Sequence, residues 1–323
     1  MDYSALIAKS LNKELLTREE AKAILLLPDS EVPELLKAAF VVRKKFHGTK
    51  VKLCMLQNAQ SGICPEDCHY CSQSSISTAE IQKYRLLSKE RLFEGAKRAY
   101  EAGAKRYCMV MSGRGPAKEE IDHFCKATVF IREKFPLEIC CCLGLLGEED
   151  AQALREAGVG WVNHNLNTSE RFYPEICTTH TYQDRVETVR NVARAGLKTC
   201  SGGIVGMGET DEDILDLAFA VRSLEVESIP VNFLHPIPGT PLEKVDDITP
   251  SKCLKVLCLF RFVNPDKEIR AAGGRELKLG AIQRLALYPA NSIFIDGYLT
   301  TPGQAATEAH RMVEEEGFEV EEA

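Results

Sequence analysis

No stretch of this chain is apolar for long enough to cross a bilayer, which excludes a helical membrane protein as the starting expectation. The opening residues, Met1-Asp2-Tyr3-Ser4-Ala5, lack the basic start and apolar core of a secretory signal, so a cytoplasmic chain is expected. Positive charge is also short. Forty Lys and Arg against 47 Asp and Glu leave a net charge of −7 and a pI near 5.7, and no basic cluster overrides that balance. A nucleic-acid partner is therefore not expected. Low-complexity linkers are missing too, so the 323 residues read as one large domain.

What the chain has in quantity is cysteine. Thirteen cysteines without a signal segment, and in odd number, argue against a disulfide framework and for thiolates kept reduced as metal ligands. Cys54, Cys125, Cys253 and Cys258 lie in apolar patterns and are expected to be small core side chains. Cys64, Cys68 and Cys71 are different: they stand at C-x3-C-x2-C inside "NAQSGICPEDCHYCSQSS", among turn formers. Pro65 with Glu66-Asp67 makes a tight polar turn that lets the three side chains converge. A structural zinc site and a ferredoxin-type cluster both take four protein ligands, whereas three leave an open position for chemistry. On these residues alone, a zinc site or a chance cysteine-rich loop remains open.

A repeating unit runs along the chain. Helical stretches end in Ala-Gly and lead into short apolar runs at "EAGAKRYCMVM", "EAGVGWVNHNL" and "RAGLKTCSGGIVG". Thr181 with Asp184 and Thr210 with Asp213 have capping-box spacing, and Thr249-Pro250 puts proline at a first helical position. Further strands are expected at 51–57, 137–142, 228–234, 268–272 and 291–295, making eight in alternation with helices. That pattern predicts a closed (β/α)8 TIM-type barrel with an N-terminal helical extension. The expected division is a helical cap over 1–47, the barrel over 48–310, and an acidic tail over 311–323 that begins as helix and then frays. On such a barrel, function belongs to the loops after the strands, and the three-cysteine loop follows the first.

These residues carry a resemblance. The cysteine loop, together with "GGIVGMGE" (Gly202 to Glu209), resembles the cluster-binding and adenosine-side motifs of the radical S-adenosylmethionine superfamily. Within it, "GICPEDCHYCSQSS", "RYCMVMSGRGP", "NHNLNTS", "YQDRVETVRNVARAGLKTCSGGIVGMGE", "VNFLHPIPGTPL", "AAGGRE" and "NSIFIDGYLTTP" are similar, in order, to the biotin synthase family along nearly the whole chain. The resemblance implies that Cys64, Cys68 and Cys71 hold a 4Fe–4S cluster whose free iron chelates S-adenosylmethionine. An electron from that cluster then yields methionine and a 5′-deoxyadenosyl radical. Tyr70 would lie against the adenine, Gly203 and Gly206 would allow close backbone approach, and Ile204 would form an apolar wall.

The substrate implied is dethiobiotin, whose ureido ring suits amides that both donate and accept. Strand alternation puts Asn163, Asn165 and Asn167 on one face and His164 on the other, the latter expected as a satisfied core or supporting histidine. By resemblance, Asn232 lies between substrate and cofactor, and Thr300 and Thr301 hold the substrate carboxylate. The same resemblance implies an auxiliary sulfur-donating iron–sulfur cluster, 2Fe–2S in the family, on Cys108, Cys140, Cys200 and Arg270. An iron ligand with so high a pKa is chemically odd, and Arg270 could instead neutralise cluster charge. A flavodoxin or ferredoxin reductant and a homodimer are also implied.

Three departures from the family pattern matter. Asn167 stands where an aspartate commonly holds the ribose hydroxyls, Met111 where alanine is usual, and "ICCC" puts cysteines at 140, 141 and 142. On a strand, Cys140 and Cys142 would share a face, so Cys142 could supply a fourth thiolate and make the auxiliary cluster a four-iron species. Equally, Cys141 and Cys142 could only fill core space. Two other functions remain as expectations: a superfamily relative without sulfur insertion, of the hydrogenase-cofactor maturase or methylornithine synthase type, or a non-enzymatic iron–sulfur or zinc protein.

Overall fold

The computed structural model describes residues 1–322; Ala323, the last residue of the expected tail, lies outside the described residues. Among the described residues there are ten strands: β1 Lys50–Gln60, β2 Arg106–Met111, β3 Glu138–Cys142, β4 Trp161–Asn163, β5 Lys198–Cys200, β6 Gly203–Val205, β7 Ser228–Phe233, β8 Glu268–Ala271, β9 Ser292–Ile295 and β10 Glu319–Val320. Parallel ladders run β1-β2-β3-β4-β5-β7-β8-β9, and β9 pairs back onto β1, which closes a (β/α)8 barrel. Helices such as Lys89–Glu101, Lys118–Arg132, Tyr182–Arg194 and Pro250–Val263 form the outer layer. Their starts follow from local chemistry: Thr181 Oγ1 accepts from Asp184 N at 3.1 Å, and Asp184 Oδ2 accepts from Thr181 N at 2.7 Å. Their ends do too, as at Gly196, whose φ of 76° suits a residue without Cβ.

The fifth strand comes as two pieces. β5 and β6 are split at Ser201-Gly202, where Gly202 N donates to the side chain of Asn165 (3.1 Å) rather than to a ladder partner. The three N-terminal helices, Tyr3–Leu11, Arg18–Leu25 and Val32–His47, pack against the outer helices Asp211–Ser223 and Pro250–Val263. The expected fraying of the tail is overturned. Helix Ala306–Glu315 leads into β10, which pairs with Lys50 and Val51 of β1. Phe318 explains this: it is buried among Phe40 and Tyr288 at 5.5 and 5.7 Å, with the Arg43 guanidinium 4.4 Å above its ring. That aromatic packs together with Ala309, Met312 and Val313, buried on the preceding helix, and orders the segment.

Alternation across β2 and β3 is regular. Register pairs Arg106 with Glu138, Cys108 with Cys140 and Val110 with Cys142 on β2 and β3. Cys141 points outward into the main hydrophobic core, as do Tyr107 and Met109. Cys253 and Cys258 also belong to that core, and Cys125 packs against it. Cys54 does not. Its sulfur lies inside the barrel, 3.5 Å from Ser292 Oγ, near Arg270 and Arg106, with burial pushing its thiol up to about 11. The apolar run around Cys54 hid this, because β1 is buried on both faces and one of them looks onto a charged interior.

Candidate active site

The loop after β1 is folded by its own turns: Cys71 N donates to Cys68 O (3.1 Å), Ser74 N to Cys71 O (3.2 Å) and Ser75 N to Glu66 O (2.8 Å). Its acidic pair then reaches across to residues 176–180. Thr179 Oγ1 donates to Glu66 (2.6 Å), Thr178 N to Asp67 (2.9 Å), and His69 N to Ile176 O (2.9 Å). Glu66 also meets Arg114 at 3.3 Å and pairs with His180 Nδ1. The loop is thus braced from outside, and Cys64, Cys68 and Cys71 all line one cavity of roughly 280 Å³ at the C-terminal end of the barrel. Burial raises the Cys64 thiol and takes Cys71 to about 11, while Cys68 is raised by its hydrogen bond to Cys177 (3.8 Å) and by burial. Thiols this reluctant to ionise need a bound metal to draw off their protons. Three soft donors around an open cavity fit an iron–sulfur cluster with one iron left free.

Asn163, Asn165, Asn167, Asn232, Tyr70, Ile204, Thr300 and Thr301 line the same cavity. The route to that convergence differs from a simple strand face. β4 ends at Asn163, and Asn167 sits at φ 73°, a left-handed conformation that asparagine tolerates. Asn167 Nδ2 donates to the Tyr70 hydroxyl at 2.6 Å, leaving its Oδ1 free. Asn163 donates to Asn165 Oδ1 (3.3 Å). Asn232 bridges Gly203 O and Gly273 N, each at 2.9 Å, and keeps one N–H and one lone pair. Gly203 and Gly206 do not line the cavity. The space a Gly203 Cβ would need is held by Leu217 Cδ2 (2.4 Å) and the Asn167 carbonyl (2.5 Å), so the close approach there is of the chain to itself. Thr300 shares a hydrogen bond with Ser72 (2.7 Å), and Thr301 donates to Tyr298 O (2.7 Å). Met111 is on the lining. His164 lines it as well, and its buried Nε2 has no partner, so of the two roles expected it is not the satisfied core histidine, while a supporting role stands as an expectation; burial keeps it neutral.

Deeper in the barrel, Cys108, Cys140 and Cys200 cluster with Trp161, walled by Leu56 and Phe294. Cys108 and Cys142 reach the cavity above them. The Cys108 thiol is raised by its hydrogen bond with Cys140 and by burial, and burial takes Cys142 to about 12. Arg270 Nη1 donates to Cys200 Sγ at 3.7 Å, while Nε donates to Ser292 (3.1 Å) and Nη2 to Ser228 (3.2 Å) and Glu268. Beneath lies a charged floor that sequence reasoning missed. Arg106 pairs with Glu268 (2.9 Å) and Glu138 (2.8 Å), its guanidinium 3.7 Å from the Trp161 ring centre, and Lys52 meets Glu138 at 3.2 Å. Burial opposes the charge on Glu268, but Arg106, Arg270 and Lys52 hold its carboxyl well below the usual range. Arg185 was also missed: buried, it donates to Asn165 O at 2.9 Å and to Tyr173. Its position in an ordinary helical pattern carries no signal of that role.

Two family patterns match the chain: the Radical SAM superfamily over residues 60–221, and the Biotin and Thiamin Synthesis associated domain over 230–319. Biotin synthase of Lysinibacillus sphaericus (strain C3-41) is 52% identical over 321 residues, spanning 99% of this chain and 97% of that one. Biotin synthase of Bacillus subtilis (strain 168) is 55% identical over 305 residues, spanning 94% and 91%. Among solved structures, methylornithine synthase superposes with a TM-score of 0.85 at 22% identity, over 98% of this chain and 97% of that one. The FeFe-hydrogenase maturase of Carboxydothermus hydrogenoformans gives 0.84 at 18%, over 100% and 80%. At such identities the structural likeness speaks for the fold alone.

Proposed function

The chain belongs to the biotin synthase family of radical S-adenosylmethionine enzymes, and from that premise we propose how its cavity converts dethiobiotin to biotin. The enzyme is a sulfurtransferase that removes two hydrogen atoms in succession and inserts sulfur. Its cofactors are a 4Fe–4S cluster, S-adenosylmethionine and an auxiliary iron–sulfur cluster. When bound, the first cluster supplies the electron that splits S-adenosylmethionine, and the auxiliary one supplies the sulfur atom.

Cys64, Cys68 and Cys71 hold the first cluster. Tyr70, pinned by Asn167, offers a face to the adenine, with Asn167 Oδ1 left for a ribose hydroxyl and Ile204 as the apolar wall. Asn163, Asn165 and the free half of Asn232 bind the ureido ring. Thr300 and Thr301 hold the substrate carboxylate once their hydroxyls turn from Ser72 and Tyr298 O. Cys108, Cys140 and Cys200 hold the auxiliary cluster. Arg270 is committed on most of its donors to Glu268, Ser228 and Ser292, which supports a charge-compensating neighbour rather than an iron ligand. Cys142, on the same wall, is then the available fourth thiolate. The reading is completed by a flavodoxin- or ferredoxin-type reductant, a homodimer and a cytoplasmic setting, all supported by family membership; no helix among the described residues is long and apolar enough to cross a membrane.

The observation that carries this reading is that one closed barrel brings one thiol triad to an amide-lined cavity and sets a second beneath it, with Cys108 of the second reaching the cavity wall. A relative without sulfur insertion would have no need of Cys108, Cys140 and Cys200 together, and a non-enzymatic metal protein no need of the asparagine row. Anaerobic turnover with dethiobiotin and S-adenosylmethionine tests it. Biotin and 5′-deoxyadenosine should form while sulfide is lost from the protein; 5′-deoxyadenosine without biotin or sulfide loss would overturn sulfur insertion.

A further inference from the structure

Cys177 follows no part of the reaction described above, yet it is buried against the cysteine loop. Its sulfur lies 3.8 Å from Cys68 Sγ and 3.3 Å from His180 Nδ1. The three donor atoms lie within 4.8 Å of one another, and all three residues are buried. Two thiolates on one tetrahedral zinc-class ion at about 2.3 Å stand about 3.8 Å apart, and a thiolate and an imidazole about 3.5 Å apart. The spacing found therefore suits one mononuclear cation.

A carboxylate, Glu66, stands beside these three donors, against the imidazole. His180 Nε2 accepts from Arg185 Nη2 at 2.8 Å, so the ring proton is on Nδ1, where Glu66 meets it. A cation replacing that proton would have Cys68, Cys177 and His180 around it, with the displaced Glu66 carboxylate next to the imidazole and able to turn in as the fourth donor. Two thiol protons and the imidazole proton leave as it binds, and the bound charge is compensated by Arg114 on Glu66 (3.3 Å) and Arg185 on His180. Thiolate, imidazole and carboxylate together select zinc, cobalt(II) or ferrous iron over magnesium or calcium.

We propose that Cys68, Cys177 and His180 form a mononuclear site for a zinc-class divalent cation in the cluster-free chain, with Glu66 turning in to complete it. Glu66 and Cys68 come from the cysteine loop, and Cys177 and His180 from the segment that braces it, so the ion ties the two together before the cluster is loaded. Because Cys68 serves both, ion and cluster exclude one another; that exclusion, though not the site itself, rests on Cys68 being a cluster ligand.

Cobalt(II) titrated into anaerobic chain stripped of iron and sulfide reads the site through thiolate-to-metal absorption and the visible bands of a tetrahedral ion. The wild-type spectrum minus that of Cys177→Ala isolates it from the deeper thiols. Cys177→Ala and His180→Gln should each weaken binding at least about tenfold, while Cys64→Ala and Cys71→Ala leave it within about twofold. Circular dichroism checks folding, and Cys177→Ser, which keeps the size, stands in if the alanine variant does not fold. Zinc bound beforehand should slow iron–sulfide reconstitution in wild type and not in Cys177→Ala. Binding that survives Cys177→Ala and His180→Gln but falls with Cys64→Ala or Cys71→Ala would overturn the proposal, and so would absence of a cobalt difference spectrum. Failure to form biotin would leave these spectra untouched and would bear only on the function proposed above.

Discussion

The side-chain amide of Asn163 donates to the sulfur of Cys200 across 3.1 Å, joining the asparagine row to the thiol layer by one hydrogen bond. The same amide reaches Asn165, whose oxygen in turn accepts from Gly202 N at the break between β5 and β6. The amides proposed to bind substrate and the thiols proposed to hold the auxiliary cluster are therefore joined directly.

That connection makes Asn165→Ala informative. Its loss strands the donors that Asn165 Oδ1 accepts from and removes an amide from the row proposed to bind substrate. Dethiobiotin binding should weaken by ~1–3 kcal/mol, about five- to 150-fold. S-adenosylmethionine, bound on the Tyr70 side, should bind nearly as before. Equilibrium titration of each ligand measures this, and equal weakening of both would contradict the assignment of the row to substrate.

Cys68→Ala should abolish formation of 5′-deoxyadenosine while the barrel still folds, because three thiolates are needed to leave one iron open. Chromatographic assay of the nucleoside, with circular dichroism as a folding check, decides it. Nucleoside made at the wild-type rate would remove Cys68 from the cluster.

Cys142→Ala bears on the auxiliary cluster. If Cys142 is a ligand, wild type carries about eight irons per chain and the variant fewer, since a four-iron cluster takes four cysteines. Iron analysis with Mössbauer spectroscopy reads both quantities. About six irons in wild type, unchanged in the variant, would leave Cys142 as a wall residue.

Glu268 sets an acid limit on stability. Its folded-state pKa lies well below the ordinary 4.5, so the charged form is the one the fold favours. Its contribution is complete above the unfolded value and is lost as pH falls through 4.5 toward the folded value. Glu268→Gln leaves Arg106 and Arg270 buried without their shared carboxylate and should cost about 3–5 kcal/mol. Acid titration followed by circular dichroism should show wild type losing stability below about pH 4.5 with a steeper slope than the variant. Parallel slopes would show that Glu268 is not the group responsible.

Much of this was legible from local pattern. The helix stops at Ala-Gly, the capping pairs and the eight apolar runs sufficed for the barrel, because each is decided by chemistry within a few residues. The convergence of Cys64, Cys68 and Cys71 followed from their spacing, and the shared face of Cys140 and Cys142 from strand period alone. Asn167 was placed correctly on the cavity for an incomplete reason. Its left-handed backbone and its bond to Tyr70, 97 positions away in sequence, depend on contacts that alternation does not encode.

By itself, then, the sequence determined the alternation of strands and helices, the three-cysteine loop and the shared face of Cys140 and Cys142 on β3, since these rest on periods of two and 3.6 residues and on turn chemistry. Only the tertiary structure decided what those faces meet. Closure of the barrel brings Arg106 from β2, Glu138 from β3 and Glu268 and Arg270 from β8 into one buried charged floor, and it turns Cys54 from an apparent core residue into a neighbour of arginines. It likewise sets Cys177 and His180 against Cys68 across more than a hundred residues of chain. Charge pairing and ligand geometry depend on distances through space, and those exist only once the eighth strand has met the first.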